Sequence, residues 1–292
     1  MQFFIENEHL TVTVDSVGCE IVSVKSKNDD TEYIWIADPA YWGGHAPNMF
    51  PICGRLTEGK YTYEGKTYEM QLHGFARKCE FTIFEKTPSS ISMTLTDDEM
   101  TRSIYPFRFV LTITHTLEGA TLHTKFTVEN KGENVMPYAV GGHPGFNVPL
   151  GDAGEFSDYY LEFSEAAPAR KLVMRAGYMT EETVPFPLED GKILHLNHEF
   201  FNNAGTFIFD MAKEVTLKSN KTEKSVTLRY DDMTFLGLWH IAGAEAPYVC
   251  IEPWTGVPDY VDKIGDIMEK RDMRHLAPSE RETLGYSITF GL

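Results

Sequence analysis

Cysteine is scarce in this chain and never paired in sequence. Cys19, Cys53, Cys79 and Cys250 are the four thiols among 292 residues, and no CxxC occurs. A disulfide framework or a zinc knuckle therefore lacks its residues, and reduced, packed thiols are expected. Long apolar runs are missing too: no window of about 18 apolar residues exists, so no membrane-spanning helix is expected. The stretch from Met1 to Asn7 has neither a basic n-region nor a long apolar segment, so no signal peptide is read there and a cytoplasmic location is expected. Basic residues are outnumbered, 26 Lys and Arg against 43 Asp and Glu, for a formal charge of −17. That field repels phosphate backbones and no Lys/Arg cluster interrupts it, so neither nucleic acid nor membrane is an expected partner. There is no HExxH, no GxSxG, no P-loop and no GxGxxG after a strand, which removes the zincin, hydrolase-triad and nucleotide readings. Helical periodicity is nearly absent; the best candidate is one short helix within 259–272.

What the chain has is alternation. From Phe107 to Leu117 the apolar face reads Phe107, Phe109, Leu111, Ile113, His115, Leu117, with Arg108, Thr112, Thr114 and Thr116 between. After Glu118-Gly119, Ala120, Leu122, Thr124, Phe126 and Val128 alternate with Thr121, His123, Lys125, Thr127 and Glu129. Two such runs joined by a short Gly-containing link predict a β-hairpin. His115 falls on its apolar face and reads as a satisfied core histidine; His123 reads as surface. Further short strands are predicted around 10–14, 20–25, 32–37, 61–71, 80–86, 91–95, 158–163, 206–210, 214–218, 225–229, 235–240, 248–252 and 284–290. Glu64-Gly65, Lys131-Gly132 and Asp190-Gly191 mark turns between them. Many strands with very little helix predict an all-β fold, a large antiparallel β-sandwich. At this length one domain spanning 1–292 is expected.

Four segments carry polar residues that a plain strand or turn does not need. In Val249-Cys250-Ile251-Glu252-Pro253-Trp254 a carboxylate sits inside an apolar run. Pro253 biases Glu252 towards extended backbone, and alternation puts Val249 and Ile251 on one face and Cys250, Glu252 and Trp254 on the other. A carboxylate beside an aromatic wall loses solvation and becomes a better proton acceptor near neutrality; the plain alternative is a strand-end salt bridge. In Gly141-Gly142-His143-Pro144-Gly145-Phe146-Asn147, glycines strip bulk from around one imidazole, the side chain that titrates near pH 7. His73 precedes Gly74 in Leu72-His73-Gly74-Phe75-Ala76-Arg77, where close backbone or ligand approach is allowed. Arg55 follows a Pro- and Gly-bracketed stretch from Asn48 to Leu56 and offers a fork of donors for hydroxyls, unless it forms a surface salt bridge. Two histidines with Glu252 lack the spacing of strand-borne metal sites, so no metal and no cofactor are expected. A glycosidase needs a second carboxylate; Asp210, Asp231, Asp232 and Asp259 are available and nothing singles one out.

Taken together, Phe50-Pro51-Ile52-Cys53-Gly54-Arg55-Leu56, His73 to Arg77, Gly141 to Phe146 and Cys250 to Gly256 resemble FPxxGRL, HGFAR, GxHPGF and CIEPWxG of the aldose 1-epimerase (galactose mutarotase-like) family, in its shorter LacX-type branch. Tyr105-Pro106-Phe107 and Leu276-Ala277-Pro278 extend the resemblance over nearly the whole chain. It implies a large antiparallel β-sandwich, Glu252 as general base, His143 as general acid, His73 as the second active-site histidine and Arg55 as a substrate-binding arginine. The chain departs from longer mutarotases in two places. Where they carry a sugar-binding aspartate it offers Asn203, with Asp210 some residues later, and it has no glutamine in Phe235-Leu236-Gly237-Leu238-Trp239.

The implied reaction is interconversion of α and β anomers of a hexose, with Trp254 and Trp239 as apolar walls. Glu252 ionised and His143 protonated would give a bell-shaped pH–rate profile. A hexose-6-phosphate 1-epimerase, with Arg77 and Arg55 pairing to the phosphate, and a non-catalytic sugar-binding or sensor protein are the alternatives. The expected partner is a small-molecule sugar, an aldohexose or a sugar phosphate, and the expected state is a monomer or homodimer.

Overall fold

In the computed structural model, which describes residues 1–202, 205–260 and 264–292, two large antiparallel sheets share one core. The nine-stranded sheet runs Ile193–His195, Tyr159–Phe163, Glu214–Ser219, Ser225–Arg229, Arg281–Gly291, Thr121–Asn130, Phe109–Glu118, Ser90–Thr96, Thr82–Lys86. The eight-stranded sheet runs Tyr178–Pro185, Arg170–Arg175, Thr206–Phe209, Phe235–Trp239, Tyr248–Trp254, Gly141–Gly142, Asn48–Met49, with Gly145–Asn147 also paired to Tyr248–Trp254. Leu111, Ile113, Leu122 and Phe126 from the first sheet and Ile208, Leu236, Leu238, Val249 and Ile251 from the second belong to a single buried apolar cluster. The all-β sandwich expectation holds.

The predicted hairpin is Phe109–Glu118 against Thr121–Asn130, in register Glu118↔Thr121 around Gly119. Along each strand, successive residues alternate between buried and more exposed as the sequence alternates. Its outer face pairs hydroxyls across strands, Ser92 with Thr114 at 2.8 Å and Thr127 with Thr283 at 2.9 Å, contacts that stabilise a sheet by a few tenths of a kcal/mol, roughly, each. His115 is fully buried and satisfied, by Thr124 Oγ1 at 3.0 Å and the Cys19 carbonyl at 2.9 Å.

Two expectations fail, and one helix was not anticipated. Residues 259–272 hold no helix among those described: the Thr62 N–H donates to the Gly265 carbonyl and the Ile267 N–H to the Thr62 carbonyl, so this backbone is spent on the hairpin Lys60–Tyr63/Lys66–Glu69. The one α-helix described is Glu99–Ile104, closed by a reciprocal cap between Asp98 and Thr101. Residues 32–37 form isolated bridges instead of a strand, because the Glu32 carboxylate itself takes the N–H groups of Val24 and Ile34. No described helix is long and apolar enough to cross a membrane.

Candidate active site

The strand Tyr248–Trp254 separates two environments. Val249 and Ile251 enter the shared core, while Cys250, Glu252 and Trp254 project from the opposite face of the sheet. Register then does the assembly. Gly141 pairs with Trp254 and Gly145 with Cys250, so continuing either ladder brings His143 level with Glu252. Their side chains meet at 3.3 Å, Nε2 to Oε2, with both residues buried. On the other side of Glu252 the paired residue is Gly237, where a Cβ would stand 3.1 Å from Glu252 Cβ and 3.0 Å from the Phe207 ring. The missing side chain leaves the carboxyl its room.

The glycines near His143 act differently from the sequence expectation. A Cβ on Gly141 would lie 2.7 Å from the Trp254 ring, and one on Gly142 would lie 2.4 Å from the Tyr286 hydroxyl. These positions admit aromatic rings; they do not clear space around the imidazole. The imidazole is itself packed, 4.9 Å from the Trp42 ring at an interplanar angle of 31° and edge-on to Trp239 at 5.5 Å.

His73 approaches from a third element, with a left-handed backbone (φ 64°) that a β-carbon disfavours. Its N–H donates to the Gly54 carbonyl at 2.7 Å, and its Nδ1 accepts the Gly54 N–H at 3.1 Å. Because Nδ1 is an acceptor, the neutral ring carries its proton on Nε2 and presents a donor. The same Gly54 contact brings Arg55, next in sequence, to the rim, where it lies against Gly177 and 5.9 Å from the Tyr178 ring centre.

A cleft of about 610 Å³ gathers these groups, within the range of about 300–1,000 Å³ typical of small-molecule sites. His73, His143, Glu252, Arg55, Arg77, Trp239 and Trp254 all line it, so every sequence candidate in the described residues converges there. Asn203 lies outside the described residues. Asp210, Asp231, Asp232 and Asp259 do not line the cleft. Its second carboxylate is Glu20, which sequence reasoning missed, as it missed Trp42. The Trp42 signal was present, an aromatic run ending in Gly43-Gly44; Glu20 opens an ordinary alternating strand and carries no local mark.

Burial sets the protonation of the centre. It pushes Glu252 well above the carboxylate range and draws His143 down to about 3, while His143 Nδ1 has no hydrogen-bond partner among the described residues. His73 is also held well below its ordinary value, by burial first and then by His143, Arg77 and Arg55. Two unit charges at this spacing attract by roughly 5 kcal/mol at an effective dielectric of 20. Removing two ions from water costs several kcal/mol each, roughly, so burial favours the neutral pair. Glu252 protonated with His143 neutral carries the same single proton as the charged pair expected from the sequence, placed on the other partner. The one described metal-competent trio is His143, Cys250 and Glu252, whose donor atoms lie within 4.8 Å of one another. It substitutes Cys250, a thiol pushed well up by burial, for the His73 considered in sequence.

The family model for aldose 1-epimerase matches residues 1–272. The chain is similar to the chromosomal protein LacX of Lactococcus lactis subsp. lactis, 33% identical over 299 residues that cover 99% of each chain. Among solved structures it resembles a galactose mutarotase related enzyme from Lactobacillus acidophilus, with a TM-score of 0.96, 35% identity and coverage of 99% of this chain and 97% of that one. A galactose mutarotase-like protein from Lactobacillus casei gives a TM-score of 0.94 at 28% identity, covering 99% of this chain and 100% of the other.

Proposed function

The chain belongs to the aldose 1-epimerase family, and on that premise we propose that it interconverts the α and β anomers of an aldohexose by acid–base-catalysed ring opening and reclosure. The buried contact between His143 and Glu252 at 3.3 Å, facing an open cleft, carries this reading. Sugar hydroxyls entering the cleft replace the dry contact and allow the pair's proton to pass from carboxyl to imidazole. Glu252 then takes the proton of the C1 hydroxyl. As the C1=O bond forms, the bond from C1 to the ring oxygen breaks, its electron pair stays on that oxygen, and His143 delivers a proton there. Rotation about C1–C2 and reclosure with the roles exchanged give the other anomer.

His73 supports this without moving a proton. Its Nε2–H donor is fixed by the Gly54 contact, and burial beside His143, Arg77 and Arg55 keeps the ring neutral. It hydrogen-bonds the ring oxygen or a hydroxyl as charge develops. Trp42, Trp239 and Trp254 exclude water from the reacting groups, and Arg55 offers donors to hydroxyls at the rim.

One observation favours a second substrate class. Arg55 and Arg77 both line the cleft, and no described carboxylate lies within ion-pair distance of either, so a hexose 6-phosphate has two guanidiniums to meet. Exchange NMR of anomers with galactose, glucose and their 6-phosphates separates the two. Faster exchange of a free hexose supports the proposal, and exchange confined to the phosphates supports the second class. Saturable sugar binding with no acceleration anywhere identifies a non-catalytic sugar-binding protein.

A further inference from the structure

The cleft contains a carboxylate that the acid–base scheme leaves unused. Glu20 opens the strand Glu20–Ser26 directly after a tight turn with left-handed backbone at Gly18 and Cys19. That turn is held from several sides. The Gly18 N–H donates to the Cys79 carbonyl at 2.8 Å, and Asn48 Nδ2 donates to the Gly18 and Cys19 carbonyls at 3.1 and 2.8 Å. The His115 ring meets the Cys19 carbonyl at 2.9 Å. A Cβ on Gly18 would stand 2.9 Å from the Arg77 carbonyl oxygen, so only glycine lets the turn seat against the Arg77 backbone.

The side chain is fixed as firmly. Both the His45 and Ala46 N–H groups donate to Glu20 Oε1, at 2.8 and 2.9 Å. Among the described residues no donor reaches Oε2. Arg77, whose Nε donates to the Leu72 carbonyl at 3.3 Å, is half-buried in the same cleft and feels the Glu20 charge without forming an ion pair with it. An anchored acceptor and a guanidinium thus line the same cleft, Oε2 of the one and the terminal NH₂ groups of the other uncommitted among the described residues.

We infer that Glu20 Oε2 and Arg77 form the hydroxyl-recognition subsite of this cleft, the carboxylate accepting from a sugar hydroxyl away from C1 and the guanidinium donating to that hydroxyl's neighbour. The subsite takes a neutral aldose. A phosphate on Arg77 would face the Glu20 carboxylate, a like-charge contact that opposes it. This deepens the proposed epimerase reading and rests on it for the identity of the ligand as a sugar.

The test is Glu20→Gln. Its amide oxygen keeps the His45 and Ala46 contacts, while NH₂ replaces Oε2 and turns an acceptor into a donor, so folding is preserved; unchanged circular dichroism and melting temperature check this. The expected result is a KM raised about 10- to 100-fold for galactose or glucose, the size of a lost hydrogen bond to a charged group, with kcat within about twofold. In a series of monodeoxy sugars, one is already weak with the unaltered chain and is weakened no further by Glu20→Gln; that sugar lacks the hydroxyl Glu20 holds. Glu20→Asp, which keeps the charge, recovers part of the affinity. An unchanged KM across the series, or tighter use of 6-phosphates than of free sugars, overturns the subsite. If anomer exchange is absent, the epimerase reading fails separately, and saturation-transfer NMR of galactose binding still decides: equal affinity with and without Glu20→Gln, or no binding by the unaltered chain, removes the inference.

Discussion

Glu252 and His143 share one proton, and its position decides the pH behaviour. His143 drawn down to about 3 means that the pair gains a second proton only at strongly acidic pH, and Glu252 pushed well up means that it loses its only proton well above the ordinary carboxylate range. Between those limits the single-proton state persists, so the acid limb of kcat/KM for anomer exchange is expected at strongly acidic pH, below the limb an unshifted carboxylate would give. An acid limb with its midpoint at or above the ordinary carboxylate value would contradict this. Glu252→Gln replaces a neutral carboxyl by a neutral amide of the same shape; the expected outcome is loss of about 10²–10⁴ in rate at nearly unchanged melting temperature. At this scale the sequence was informative wherever the proposed function is written into consecutive residues. Glu252 before Pro253, His143 among glycines and His73 before Gly74 are visible as oddities in short stretches. Glu20 is not, because its place comes from what folding sets beside it, two amides from residues 45 and 46. Trp42 is marked by Gly43-Gly44, but its partner, an imidazole about a hundred residues away in sequence, is not.

Strand pairing explains how the centre is held to sub-ångström tolerance by residues that do no chemistry. Gly237 lies opposite Glu252, and its Cβ-less surface meets the carboxyl side chain and Phe207. Gly237→Ala is expected to displace Glu252 by a few tenths of an ångström, lowering kcat about 10-fold or more with little change in KM or in far-UV circular dichroism. Steady-state kinetics by polarimetry checks it; unaltered kcat would show that the carboxyl tolerates the intrusion. The strands were readable because side chains alternate between core and solvent, as along Phe109–Glu118. The false helix at 259–272 shows where that logic stops. Its apolar residues are spaced for a helix, yet Ile267 enters the core from a segment whose backbone bonds to Thr62. Likewise Arg170–Arg175 and Tyr178–Pro185, which bring Met174 and Gly177 to the cleft, lack clean alternation, and their turn at Ala176-Gly177 has no Asn or Asp to announce it.

For the whole molecule, one core serves both sheets, so its loss affects the cleft even from the far sheet. Ile113 is fully buried between Met93 and Phe126, and Ile113→Ala is expected to cost about 2–5 kcal/mol in urea unfolding. Acid sensitivity follows from buried neutral histidines. His115 and His240 are each drawn down to about 4 by burial, so below the ordinary value of 6.5 the unfolded chain binds protons that the folded chain refuses. Stability is then lost as pH falls from 6.5 towards 4, on the order of 3 kcal/mol for each imidazole. Glu252 acts in the opposite sense, stabilising most at low pH and losing its contribution as pH rises through its raised value. A melting temperature that falls less steeply over this window in His115→Gln than in the unaltered chain is the expected observation. The claim on which the rest depends is that the contact between Glu252 and His143 exchanges anomers, and two-dimensional exchange NMR of galactose measures it directly. The expected result is α-to-β cross-peaks that grow with the unaltered chain far faster than in buffer and fall to the buffer rate with Glu252→Gln. Equal rates for the two proteins, whether both fast or both at the buffer level, would contradict it.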